Sequence, residues 1–152
     1  MRTFGLDVGT KTIGVAVSDA LGLTAQSVTT IRRTSLKADL AALGELAREH
    51  EVTRVVIGLP LNMDGSEGPR AEASRKFAEA VTATLGLEAE FWDERLSTVA
   101  AQRTLLEADL SRAKRKQVID QAAAQFILQG WMDAHRPAES FHADDYDYEP
   151  ES

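Results

Sequence analysis

Apolar residues alternate with small or polar ones along much of the first 32 residues, which is the pattern of β-strands. Residues 3–8 are mostly apolar, a Gly-Thr-Lys turn occupies 9–11, and isoleucine and valine alternate with small residues over 13–17. A third strand is predicted at about 26–32. The connections between these segments are too short for parallel crossovers. The pattern therefore predicts a three-stranded antiparallel meander.

The rest of the chain combines helical spacing with short apolar runs. Ser35 is predicted to cap a helix that carries leucines at helical spacing, and further strands are predicted at 55–57 and 88–93. A loop with two prolines and two glycines fills 59–69. Three more helices are predicted, at 69 to about 85, at 97 to about 106 and from about 116 to 132. This order predicts an α/β fold, with one five-stranded mixed sheet (three antiparallel then two parallel strands) flanked by helices.

The length of 152 residues fits one folded domain, assigned to 1–136. The tail at 137–152 holds six acids and no lysine or arginine, lacks any periodicity, and is expected to be disordered. Without cysteine the chain has no disulfides and no thiolate metal sites. No apolar run approaches the roughly 20 residues that span a bilayer, and no signal peptide is visible. A cytoplasmic protein without a membrane partner is therefore expected.

The net charge of -7 argues at first against a nucleic-acid partner. Much of the excess lies in the tail, because without its six acids the chain holds 18 acidic and 17 basic residues. A nearly neutral body can still carry local basic patches. Two clusters are candidates, a sparse one (Arg32, Arg33 and Lys37) and a denser one (Arg112, Lys114, Arg115 and Lys116). Each could equally be an ordinary solvated surface.

Three carboxylates occupy positions where acids are unusual. Asp7 lies inside an apolar strand, where an unpaired charge is costly to bury, although it could also start the turn at Gly9. Glu94 ends the fifth strand, and α/β sheets place ligands at the carboxyl ends of parallel strands; it could instead pair with a nearby arginine. Asp120 lies at the edge of the apolar arc of the last helix. Its carboxylate is expected to face the sheet, unless it forms a salt bridge at the helix edge.

Three carboxylates brought together would repel one another, and burial would raise that cost. A hard divalent cation removes the conflict, because oxygen ligands suit Mg²⁺ or Mn²⁺. Two such ions can activate water and stabilise the leaving oxygen in phosphodiester hydrolysis. Sequence spacing alone does not show that the three side chains converge.

Four blocks of sequence resemble motifs of the YqgF/RuvX family, and they occur in the same order as in that family. They are FGLDVGTKTIGVAVSD at 4–19, IGLPLNMDGSEG at 57–68, DERLST at 93–98 and IDQAAAQFIL at 119–128. Members of this family are described as Holliday junction resolvases and as nucleases that mature the precursor of small-subunit ribosomal RNA. The blocks cover nearly the whole chain except the acidic tail, which lies outside the family's core pattern.

The resemblance implies a ribonuclease-H-like fold and a metal-dependent nuclease. It carries the family's acidic triad over to Asp7, Glu94 and Asp120, as catalytic residues and as ligands of Mg²⁺ or Mn²⁺. One triad residue comes from each of the first, third and fourth blocks.

The resemblance also implies candidate substrate contacts. The second block lies where the family borders its substrate cleft, and four of its residues are candidates: Asn62, Asp64, Gly65 and Ser66. A purely structural turn is an equal alternative for them. Arg95 could contact a phosphate or pair with an acid.

Four functions are compatible with these features. The leading hypothesis is processing of the 16S rRNA precursor by a nuclease that acts on structured RNA. The runner-up is resolution of Holliday junctions, a branched DNA substrate, which needs a homodimer that presents two sites. The Asp-x-Gly-Thr start also resembles the phosphate loop of actin-like ATPases, but those enzymes need two such domains and this chain supplies one. The fourth is a non-catalytic nucleic-acid-binding module, against which the intact triad argues.

Overall fold

A computed structural model of the chain describes residues 2–96 and 112–135, with 112–121 described as backbone only. The elements in chain order are β1 (Arg2–Val8), β2 (Thr12–Ser18), β3 (Ala25–Arg32), α1 (Leu36–Glu49), β4 (Val52–Leu59), α2 (Pro69–Leu85), β5 (Glu88–Asp93), a 3₁₀ turn (Glu94–Leu96) and α3 (Arg112–Ala134).

The five strands form one sheet in the order β3-β2-β1-β4-β5. The first three strands pair antiparallel, whereas β4 pairs parallel with β1 and β5 pairs parallel with β4. This arrangement confirms the predicted mixed sheet. Because β1, β3, β4 and β5 all run the same way, they end at one side of the sheet, which we call the carboxyl edge.

The two faces of the sheet have different side chains, because successive residues of a strand point to opposite faces. One face carries large apolar side chains that form a core with α1 and α2; we call it the large-residue face. It includes Phe4, Leu6, Ile13, Val15, Val55 and Ile57. The opposite face, which we call the α3 face, carries small residues. A methyl group added at Gly5 would lie 2.5 Å from Cβ of Leu128, so α3 packs almost directly on the backbone of β1.

The helix ends follow the capping chemistry expected from the sequence. The hydroxyl of Ser35 accepts a hydrogen bond of 3.1 Å from the amide of Ala38, which caps α1. Pro69 begins α2, and Gly86 ends it in the left-handed conformation at φ 73°. No helix in the described ranges is long and apolar enough to cross a membrane.

Two predicted boundaries are wrong. The last helix begins at Arg112 and not near residue 116, because arginine and lysine are good helix formers and no glycine or proline interrupts them. β4 has eight residues and not three, because its ends pair with β1 at Val52 and with β5 at Leu59. The helix predicted at 97–106 and the tail at 137–152 lie outside the described residues.

Candidate active site

Asp7 lies near the end of β1 and is only 4% exposed. It lies on the α3 face, because Gly5, two residues earlier, contacts α3. Its partner in the antiparallel ladder is Gly14 of β2. On the other side, Leu6 pairs with Ile57 of β4, so the next residue of β4, Gly58, lies alongside Asp7.

Glu94 follows β5 directly and is 9% exposed. A methyl group added at Gly58 would lie 2.7 Å from its Oε2 atom. The carboxylate therefore lies over β4, on the α3 face, although the residue itself belongs to the turn after β5. Since Gly58 lies alongside Asp7 and neighbouring strands are about 4.8 Å apart, the two acids occupy adjacent positions at the carboxyl edge.

The start of α3 lies at the same edge, because the helix runs antiparallel to β1 and β3. Gln125 bonds the Ser27 hydroxyl at 3.1 Å, whereas Gln129, one turn later, accepts from the amide of Ala25, nearer the start of β3. The helix thus advances away from the carboxyl edge. Residues earlier in the helix than Gln125 lie progressively closer to that edge.

Position 120 can be located from this geometry. The carbonyl of Ala124 lies over Gly5. Asp120 is four residues before Ala124, about 6 Å along a helix, and Asp7 is two residues beyond Gly5, about 6.7 Å along a strand. Both residues are thus displaced from the contact at Gly5 in the same direction, toward the carboxyl edge.

The buried stripe of α3 differs slightly from the predicted arc. Its most buried residues are Ala123, Ala124, Ile127 and Leu128. The side chain of Asp120 lies outside those that the structure describes, so its position relative to this stripe stays a prediction. Among the residues with described side chains, no group of three acids or histidines could hold a metal ion. The third acid of the predicted triad belongs to the part described as backbone only.

A tight loop at 62–66 borders the carboxyl edge beside β4 and β5. Asp64 Oδ1 accepts from the amide and the hydroxyl of Ser66 at 2.9 and 2.6 Å, and that hydroxyl also accepts from Asn62 Nδ2 at 2.9 Å. These bonds from Ser66 lower the pKa of Asp64. Gly65 adopts φ 89°, a conformation that favours glycine. The four residues form a structural turn, and their contact with substrate stays a prediction.

Arg95 pairs with an acid, one of the two roles foreseen for it. Its Nη2 lies 2.7 Å from Asp93 Oδ2, and its Nη1 donates to the carbonyl of Met63 at 3.3 Å. The guanidinium lowers the pKa of the Asp93 carboxyl, and the carboxylate raises the pKa of Arg95. Arg95 therefore fastens the 62–66 loop to the end of β5, beside Glu94.

The two basic clusters occupy different places. The denser one, whose members are Arg112, Lys114, Arg115 and Lys116, forms the first turns of α3, at the end of that helix nearest the carboxyl edge. In the sparse cluster, Arg32 and Lys37 are exposed, whereas the side chain of Arg33 points into the protein. Its Nε lies 3.0 Å from Asp39 Oδ2, its Nη1 donates to the carbonyl of Gly9 at 2.9 Å, and its guanidinium lies over the ring of Phe77.

No local feature of the sequence predicts this inward contact of Arg33. The bond to Gly9 joins residues 24 apart in the chain, and no spacing rule signals it. Its effect is to hold the β1–β2 turn, two residues after Asp7, against α1.

Comparisons with known proteins agree with the fold and with the resemblance. The family described as "RuvX: Holliday junction resolvase" matches residues 1–134. A protein of Myxococcus xanthus described as "Putative pre-16S rRNA nuclease" is 76% identical over 151 residues, which is 99% of this chain and 100% of that protein. A protein of Moorella thermoacetica with the same description is 65% identical over 133 residues, 88% of this chain and 95% of that protein.

A solved structure, "T. thermophilus RuvC in complex with Holliday junction substrate", resembles this chain with a TM-score of 0.56. The likeness covers 88% of this chain and 94% of that one, at 13% sequence identity. At that identity it speaks for the fold, and it confirms the predicted ribonuclease-H-like architecture.

Proposed function

The chain belongs to the RuvX family of nucleases, and we propose that it is a divalent-metal-dependent enzyme that processes the precursor of 16S rRNA in the bacterial cytoplasm. The observation that carries the proposal is the pair of acids, Asp7 and Glu94, buried at adjacent positions of the carboxyl edge. The choice of RNA rests on the description shared by relatives that are 76% and 65% identical.

In this proposal Asp7, Glu94 and Asp120 hold Mg²⁺ or Mn²⁺. The donor set fits such an ion, because carboxylate oxygens are the ligands that hard divalent cations prefer. The burial of two neighbouring acids also fits, since a cation offsets the repulsion between their charges. When bound, such ions activate a water molecule and stabilise the leaving oxygen of a phosphodiester.

The protein's own contribution is to hold the acids in place before substrate arrives. Asp7 is held by the hydrogen-bond ladders on both sides of β1. Glu94 is held over Gly58, which has no side chain to displace it. Residue 120 is held through the contact of α3 with Gly5. All three supports lie on the α3 face.

Substrate contacts are proposed on both borders of this acid site. On the side of β4 and β5 they are the 62–66 loop and Arg95, whose side chain is 42% exposed despite its ion pair. At the start of α3 they are the four cations Arg112, Lys114, Arg115 and Lys116. Cations there would contact phosphates, which is the sequence-independent part of nucleic-acid binding.

Holliday junction resolution is the second candidate function, and two observations favour it. The family description names it, and the fold resembles that of a resolvase solved with a junction. A resolvase would act as a homodimer, so that two sites meet a symmetric junction.

One cleavage experiment separates the two functions. The full chain is incubated with Mn²⁺ or Mg²⁺ and either a precursor fragment that spans an end of 16S rRNA or a four-way DNA junction, with Asp7→Asn as the inactive control. We expect cleavage of the RNA fragment by the wild type only. Symmetric cleavage of the junction, with the RNA left intact, would replace the RNA proposal with the second. Cleavage of neither substrate would contradict both.

A further inference from the structure

We infer that Lys11, Arg32 and Lys37 form a second phosphate-binding surface, on the β3 side of the acid site. This inference rests on the proposed function and extends it, because it assigns a route for the substrate backbone away from the 62–66 loop. We call these three residues the β3-side cations.

The strand order brings the β3-side cations together. Lys11 lies in the turn after β1, four residues beyond Asp7, and its carbonyl accepts a 2.8 Å bond from the amide of Arg33. That bond holds the turn against the end of β3, where Arg32 is located. Lys37 follows in the first turn of α1. All three therefore border the carboxyl edge.

The charges of these residues are not neutralised by ion pairs with the described residues. All three are exposed, and none of them forms an ion pair with any residue that the structure describes. The acid nearest in sequence to Arg32 and Lys37 is Asp39, which is 2% exposed and already paired with Arg33. The inward position of Arg33 thus neutralises the local acid and leaves the other cations facing solvent.

The opposite side of the acid site differs in charge. There Arg75 is paired with Glu67 at 2.6 Å and Arg95 with Asp93 at 2.7 Å. Asp64 lies in the adjoining loop and has a lowered pKa, so its charge is negative at neutral pH. Arg70, in the first turn of α2, is exposed and has no ion pair among the described residues, but the exposed acids Asp64 and Glu72 lie on the same side. Among the described side chains, the net positive charge near this edge is therefore concentrated on the β3 side. In a chain with a net charge of -7, such a local excess fits a polyanion.

The spacing fits a nucleic-acid strand that extends beyond the scissile phosphate. The end of β3 is two strand spacings, about 10 Å, from β1. At about 3.4 Å of rise per nucleotide along the axis of a B-form duplex, this distance corresponds to about three nucleotide steps along that axis. The β3-side cations would thus hold neighbouring phosphates, while the acids act on the cleaved one.

A matched pair of charge variants tests the inference. The test variant is Lys11→Gln, Arg32→Gln and Lys37→Gln. The control variant is Arg2→Gln, Arg48→Gln and Lys76→Gln. It removes the same number of cations without a described ion pair, of which Arg48 and Lys76 are exposed and Arg2 is half-buried. Arg2 and Arg48 lie at the opposite edge of the sheet, and Lys76 lies within α2.

Binding of a fluorescent 16S precursor fragment to each full-length variant is measured in EDTA from 50 to 200 mM salt. Each lost phosphate contact reduces the slope of log affinity against log salt by roughly 0.7–0.9. We expect the slope to fall by about 2 and the affinity to fall at least tenfold in the test variant, with the control variant like the wild type. Replacing Lys11 and Lys37 by arginine should leave the wild-type slope.

Equal losses of affinity in the test and control variants would overturn the inference, because the effect would then depend on net charge alone. Unchanged affinity in both variants would overturn it as well. Melting temperatures within about 2 °C of the wild type confirm that all variants are folded. Cleavage of the same fragment by the wild type is measured in parallel. If the wild type cleaves the fragment but the test and control variants bind it equally well, the role of the β3-side cations is rejected and the proposed function stands. If the wild type does not cleave the fragment, the proposed function is rejected.

Discussion

On one face of the sheet, large aliphatic side chains separate the strands from α1 and α2; on the other, glycine and alanine allow α3 to touch the strand backbone. The first face packs residues such as Leu6, Val15 and Ile57 into an ordinary core. The second has Gly5 against Leu128 and Gly58 against Ile127. Both candidate acids with described side chains belong to the second face. The difference indicates that close contact, not bulk burial, is what fixes the geometry of the site.

This contrast separates stability from activity. On the large-residue face, truncating a side chain lowers the free energy of unfolding but leaves the acids in place, because no acid of the site packs there. On the α3 face, an added methyl group would move the helix or an acid. We therefore expect the two faces to respond differently in cleavage assays even where their losses of stability are similar.

The largest loss of stability is expected from Leu43→Ala. Leu43 is fully buried between α1 and the large-residue face. Truncating such a leucine costs about 2–5 kcal/mol of unfolding free energy, measured by urea denaturation. Cleavage per folded molecule should stay at the wild-type level well below the melting temperature. A tenfold loss of cleavage under those conditions would contradict the claim that the large-residue face affects stability without affecting activity.

A smaller loss of stability, with loss of activity, is expected from Gly5→Ala. The added methyl would lie 2.5 Å from Leu128 Cβ and 2.7 Å from the carbonyl of Ala124, so α3 must move. Such overpacking costs about 1–3 kcal/mol, and cleavage should fall more than tenfold because residue 120 moves with the helix.

The matched control for this variant is Gly44→Ala in α1. There the added methyl meets the flexible end of Leu85 at 3.0 Å, and alanine favours a helix over glycine by about 1 kcal/mol. Its stability and cleavage should both stay near the wild-type values. Equal behaviour of the two alanine variants would show that α3 does not depend on close contact.

The smallest loss of stability on the α3 face is expected from Gly58→Ala. The added methyl would meet the end of Ile127, which can rotate, and Oε2 of Glu94 at 2.7 Å. The loss should be about 1 kcal/mol, near the lower end of overpacking costs. Cleavage should nevertheless fall at least tenfold, because the carboxylate is displaced, and more Mn²⁺ should be needed for half-maximal rate. An unchanged Mn²⁺ requirement would argue against Glu94 as a ligand.

The order of elements could be predicted from the sequence because periodicity and caps are local. The alternation around Asp7, the cap at Ser35 and the breakers after Leu59 each depend on a few neighbouring residues. The predicted start of α3 is too late, because a cluster of like charges does not end a helix when its residues favour helix.

The site could be predicted only in part. The buried position of Asp7 follows from its strand, but the position of Glu94 over Gly58 depends on the pairing of β4 with β5. The inward contact of Arg33 depends on where the β1–β2 turn meets α1. Both are long-range contacts, and no local pattern in the sequence encodes them.

Cleavage by Asp7→Asn tests the central claim, that this buried acid takes part in metal-dependent hydrolysis. Asparagine keeps the shape of the side chain but loses the charge, so the fold should persist, and removing an acid from a buried acidic site should leave the metal-free protein as stable as the wild type or slightly more so. With the 16S precursor fragment and saturating Mn²⁺, we predict no detectable cleavage at an unchanged or slightly higher melting temperature. Wild-type turnover by the purified variant would contradict the account.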